Sequence, residues 1–274
     1  MRALILALMI LSAWVQAAEL RLDIGVASRS WSSTELLAHP QARWIAIADD
    51  ISYKRSMSYR AVPLVALLPG LRPGDLLQAV ARDGFAVELP ATLLLNPAGA
   101  QAWLAVEDPA HPWPPLAPNK ASAGPFYLVW LNPAASRIGA EQWPFRIARI
   151  RSVAPLAQRY PQLLPARDAA PRVTAGFAQY QKHCMACHRL NDAGDSRFGP
   201  DLNIPHNPTE YFAGDFLARY IRDPQSLRHW PQGRMPGFSR AQLNDEELTQ
   251  LLAYLRHMAG RKVHSPEPTR PDRS

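Results

Sequence analysis

The chain has 274 residues, enough for two folded units at about 100 to 200 residues each. It contains only two cysteines, which excludes a disulfide framework. The net charge of +7 implies a basic surface suited to acidic proteins or anionic lipid, and nucleic acid is set aside because the chain begins with what reads as an export signal.

Residues 1–18, MRALILALMILSAWVQAA, place one Arg before an apolar run from Ala3 to Leu11 and then small residues suited to signal peptidase. The run is shorter than the ~20 residues that span a bilayer, so cleavage is expected, leaving a periplasmic protein that does not span the membrane. Residues 19–153 carry short apolar runs separated by Pro and Gly: LRLDIGV, RWIAIAD, LLQAVAR, GFAVELP, AWLAVED, PFYLVWL and FRIARIRSV. These read as strands of a mostly-β domain, with Thr34 as the cap of a short helix through His39. Residues 154–171 hold prolines at 155, 161, 165 and 171 without a sustained period and read as a linker.

From residue 172 to 260 the pattern is helical. Phe177 and Tyr180 sit one turn apart, Asn244 and Glu247 have capping-box spacing, and Leu248, Leu251, Leu252 and Leu255 mark one apolar face. The fold class is therefore α+β in two domains, mostly-β and then all-α, ending in a polar tail at 261–274 that reads as disordered.

Cys184-Met185-Ala186-Cys187-His188 is the C-x-x-C-H signature of c-type haem attachment. On a turn of helix, residues three apart lie side by side, so two thiols can form thioethers along one porphyrin edge while the next residue offers imidazole to the iron. The rival readings are a zinc site and a thioredoxin-like dithiol; the first lacks a second cysteine pair and the second lacks a βαβ setting.

This helical part resembles the mono-haem class I cytochrome c family. Gly176, Phe177 and Tyr254 look like that family's crossing of first and last helices. Phe198-Gly199-Pro200-Asp201-Leu202 looks like its segment supporting the proximal histidine through the Pro200 carbonyl. Gly233-Arg234-Met235-Pro236-Gly237-Phe238 is similar to its methionine loop, which makes Met235 the second axial ligand opposite His188. His206 and His229 are the alternative ligands, each read first as a surface residue. Met258 reads as core, Met185 as confined to the attachment turn, and Trp230 and Arg234 as neighbours that could meet the haem.

The N-terminal region resembles the molybdopterin-binding domain of the sulfite oxidase family through Ser58-Tyr59-Arg60-Ala61-Val62-Pro63-Leu64, Ala81-Arg82-Asp83-Gly84-Phe85, Pro112-Trp113-Pro114-Pro115-Leu116 and Ala123-Gly124-Pro125-Phe126-Tyr127-Leu128-Val129-Trp130. Catalytic members bind molybdenum through a cysteine, and residues 19–153 contain none, so no molybdopterin is expected. The resemblances imply one covalently attached haem c, no catalytic residue, and single-electron transfer between periplasmic redox proteins through an exposed haem edge, with the first domain as a docking module. A haem subunit bound to a stable catalytic subunit is one alternative, and a small-ligand sensor using the N-terminal cleft is another.

Overall fold

The computed structural model describes residues 17–227, 229–230, 233 and 235–263. The expected signal falls outside them apart from its last two residues, as do Arg234 and the tail from 264 onward.

The N-terminal region is built from β1 (Glu19–Ile24), β2 (Ala27–Ser32), α1 (Ser33–Leu37), β3 (Arg43–Asp50), β4 (Arg55–Pro63), β5 (Leu76–Ala81), β6 (Ala86–Pro90), α2 (Ala91–Leu94), β7 (Gln101–Val106), β8 (Phe126–Leu131) and β9 (Ile147–Ser152). One sheet runs β2-β1-β9-β5-β6, with β1 and β9 parallel; the other runs β3-β4-β7-β8 and is antiparallel. Leu20, Leu22, Leu77 and Ile150 from the first sheet share one core with Tyr59, Val62, Leu104 and Phe126 from the second. Each sheet thus buries the other's apolar face. Strand β8 ends its sheet, but Leu128 N–H donates to the Pro144 carbonyl and Tyr127 bridges Phe145, so its outer edge is covered.

All seven apolar runs are strands, and β2 and β4 are additional. Strand β2 is a polar edge strand, largely exposed, reached through a turn at Gly25 whose φ of +59° suits glycine. Strand β4 alternates Met57, Tyr59 and Ala61 toward the core, but its Ser and Arg residues dilute the apolar signal. Helix α1 is capped by Ser32, not Thr34: the Ser32 hydroxyl accepts from Glu35 N–H and the Glu35 carboxylate accepts from Ser32 N–H.

The second region contains α3 (Leu156–Arg159), α4 (Pro171–His183), α5 (Pro208–Tyr211), α6 (Phe216–Arg222), α7 (Pro224–Leu227) and α8 (Asp245–Ala259). The stretch read as a linker is not a free spacer, because Leu156 and Leu163 are buried in the second core and α4 begins at Pro171, where a missing N–H costs nothing. Helices α4 and α8 cross at Gly176, where a Cβ would collide with the Gln250 carbonyl. Tyr254 of α8 stacks between Phe177 and Tyr180, with ring centroids 5.4 Å from each. Asn244 and Glu247 cap α8 reciprocally, as their spacing predicts.

Candidate functional site

Helix α4 ends at His183 and its backbone continues into a turn in which Cys187 N–H and His188 N–H both donate to the Cys184 carbonyl, at 3.0 and 2.8 Å. Both thiols are free and half-buried. Burial pushes both thiols up, Cys187 to about 11, and the nearby Glu141 carboxylate pushes the same way. A reactive dithiol needs the opposite shift, so the electrostatics disfavour that rival of haem attachment.

His188 Nδ1 lies 2.8 Å from the Pro200 carbonyl oxygen. That bond makes Nδ1 the protonated nitrogen and leaves Nε2 as the ligating one. Burial lowers the pKa of His188, which favours the neutral ring that a metal requires. The supporting segment is pinned by Gly199 N–H, which donates to the Cys187 carbonyl at 2.7 Å. A Cβ on Gly199 would strike the His188 ring, so glycine is the residue that lets the backbone approach the imidazole.

Met235 is partly buried against the second core, where Phe238 is buried and Leu202 is half-buried. Met258 and Met185 are core residues, 1 % and 5 % exposed. His206 and His229 are both on the surface. Trp230 is 56 % exposed. Two adjacent thiols, a histidine with its second nitrogen engaged, a thioether and an apolar lining fit a covalently bound haem.

Spacing alone did not reveal the polar frame around this site. Asp201 accepts from the backbone N–H groups of Asn191, Asp192, Asn203 and Ile204 at 2.7–3.1 Å. The buried Asn203 amide donates to the Met258 carbonyl and to Asn191 Oδ1, and the Asn207 amide donates to the Leu255 carbonyl and to Asn203 Oδ1. These groups fasten the loop after His188 to α8, and the Asn and Asp density of residues 191–207 was the available signal.

The attachment turn also faces the N-terminal domain. Ala186, 4 % exposed, packs into the first core, and His183, 4 % exposed, lies beside Glu141 of the loop between β8 and β9. This side of the turn is covered by the N-terminal domain. Asp195 forms the other fastening: it accepts from Gln78 Nε2 at 2.8 Å, Arg159 Nη1 at 2.6 Å, Tyr160 Oη at 3.0 Å and Arg151 Nη2 at 3.2 Å. Arg159 also pairs with Glu88.

No curated protein matches the chain significantly. Residues 173–259 match the family model described as Cytochrome c, which spans α4, the attachment turn, the Pro200 segment, Met235 and α8. The match covers the C-terminal part of the chain alone, and there it supports an electron-transfer haem protein and implies covalently bound haem c.

Proposed function

We propose that the chain is an exported cytochrome carrying a single haem c, attached through Cys184 and Cys187 and ligated by His188 and Met235, that passes single electrons between periplasmic redox proteins. The observation that carries this reading is the 2.8 Å contact between His188 Nδ1 and the Pro200 carbonyl, directly after two half-buried thiols. When bound, haem supplies a one-electron Fe(II)/Fe(III) couple.

The residues around it do three things. The Pro200 carbonyl fixes the His188 ring and raises its basicity, and Gly199 lets that carbonyl come close. Met235 would offer a soft thioether to the iron, a ligand that would raise the potential and disfavour binding of oxygen or peroxide. Tyr180 donates from its hydroxyl to the His188 carbonyl at 3.0 Å, tying the turn back to α4 so that the ligands stay in place as charge changes.

The N-terminal domain has, in this reading, a sulfite-oxidase-like fold without molybdopterin and serves as a docking module. The supporting facts are the two-sheet architecture and the lack of cysteine between residues 19 and 153. The test is the spectrum of the purified full-length protein. The reduced form is expected to be low-spin c-type, and the oxidised form to show a Met-to-iron charge-transfer band that Met235→Ala abolishes. Survival of the band in that variant removes Met235 from the site.

A second reading is a haem subunit of a periplasmic oxidoreductase complex, for which the unpaired edge of β3, carrying the exposed Trp44, offers a place for a partner strand. Stoichiometric co-purification with a catalytic subunit supports it. A monodisperse monomer that reduces several acceptors counts against it.

A further inference from the structure

The loop between β8 and β9 holds a 3-10 turn, Ala140–Gln142, that lowers Glu141 onto the end of α4. Glu141 is 6 % exposed and His183 is 4 % exposed. His183 Nδ1 lies 3.7 Å from Glu141 Oε2, too far for a hydrogen bond, and among the described residues neither carboxylate oxygen nor either ring nitrogen has a hydrogen-bond partner. Phe238, from the methionine loop, closes the pocket with its ring edge-on to His183 at 5.5 Å. Gly139 shapes the other wall, since a Cβ there would press on Glu141 Oε2.

Leaving a buried carboxylate and imidazole unpaired is costly, and the same interface shows that it is avoidable. Asp195 at the other fastening is met by four donors. His183 directly precedes the thiol Cys184, so the unmet pair sits where charge changes during electron transfer.

We propose that Glu141 and His183 form a redox-linked proton site that spans the two domains, holding one more proton when the haem domain is reduced. The inference rests on the haem reading above. In the oxidised chain a neutral His183 leaves the Glu141 negative charge to balance the extra positive charge at the iron. A one-electron donor protein supplies the electron and solvent supplies the proton, which binds a His183 ring nitrogen to give an imidazolium beside the carboxylate. Both leave on oxidation, and no covalent bond between heavy atoms forms or breaks. Lowering pH therefore favours reduction.

Among the other charged groups around the pair, Lys182 acts on Glu141 through its charge, and Arg137, Glu247, Glu88, Asp195 and Arg159 are paired with one another. Lys182 neighbours it on α4, with Arg137 from the same loop and Glu247 from α8, the latter two paired at 2.6 Å. Asp83 faces Cys187 from the turn between β5 and β6. Glu88 and Asp195 are paired with Arg159, and Arg222 donates to the Phe238 carbonyl. None of them hydrogen-bonds to Glu141 or His183.

The test is an equilibrium redox titration of the haem-loaded full chain across neutral pH. The wild type is expected to show an interval in which the reduction equilibrium constant approaches a tenfold fall per pH unit, about 59 mV for one electron. Glu141→Gln and His183→Asn should flatten that interval while keeping the low-spin spectrum. A pH-independent wild-type potential, or an equal slope in both variants, overturns the proposal. Should His183→Asn fail to fold, Glu141→Gln decides it, together with the redox-difference infrared spectrum. Wild-type carboxylate and imidazole bands that move on reduction, with the carboxylate signal lost in Glu141→Gln, support the site; unmoved bands overturn it. A chain that binds no haem breaks the functional reading itself, whereas a haem-loaded chain with a flat pH profile breaks only this inference.

Discussion

The two halves of the molecule solve burial differently. The β half packs two sheets on a continuous apolar core in which Trp130, Tyr59, Tyr127 and Phe126 are almost fully buried. The helical half has a smaller core whose loops are held by the buried amides of Asn191, Asn203 and Asn207 and by the Asp201 carboxylate. The smaller the domain, the smaller the share of its surface that folding buries, and a covalently held cofactor would add apolar interior to the helical half. One half closes on its own side chains; the other, in the proposed reading, closes around the haem that Cys184, Cys187 and His188 would hold.

That contrast can be broken experimentally, and the largest effect belongs to the attachment thiols. Replacing both, Cys184→Ser with Cys187→Ser, should abolish covalent haem and strip the helical half of most of its stability, while the β half keeps its own thermal transition. Calorimetry of the full chain reads both. A single unchanged transition would mean that the haem contributes little to the helical half. Gly176→Leu comes next, because the added side chain must enter the contact with the Gln250 carbonyl. Overpacking of this kind costs about 1–3 kcal/mol or more, and the loss should appear in the haem domain's unfolding midpoint alone.

The fastening between the halves should respond less. Burial raises the Asp195 pKa, but hydrogen bonds from Gln78, Tyr160 and Arg159 outweigh it and hold the carboxyl below the usual range. A depressed pKa contributes stability that is present above the unfolded value, about 3.9, and is lost as pH falls through the lower folded one. Limited proteolysis of the stretch joining the domains should therefore accelerate below about pH 4. Asp195→Asn should have a similar effect at neutral pH, at a cost of about 1–3 kcal/mol. The smallest effect is expected at Trp230, which is 56 % exposed; Trp230→Ala should change stability by less than about 0.5 kcal/mol.

Much of this was legible because local rules coincide with tertiary ones. The C-x-x-C-H spacing, the Asn244 to Glu247 cap and the Phe198-Gly199-Pro200 segment each encode a contact between near neighbours, and each contact is present. Strand β2 was hidden because Ser28, Ser30 and Ser32 occupy one face and Arg29 interrupts Ala27 and Trp31 on the other, which leaves too short an apolar pattern to read. The stretch from 154 to 171 hid its tertiary contacts for a related reason. Its prolines signal a break in regular structure, yet Leu156, Leu163 and Arg159 are held by tertiary contacts. Glu141 and His183 are 42 residues apart and meet only across the domain interface, so no spacing announces them.

The most direct measurement is haem and metal analysis of the purified full-length protein. One haem iron per chain, retained after denaturation in acidified organic solvent, with no molybdenum, is the predicted result. Haem that extracts under those conditions, or molybdenum at a stoichiometric level, would contradict a redox centre fixed by Cys184 and Cys187 alone.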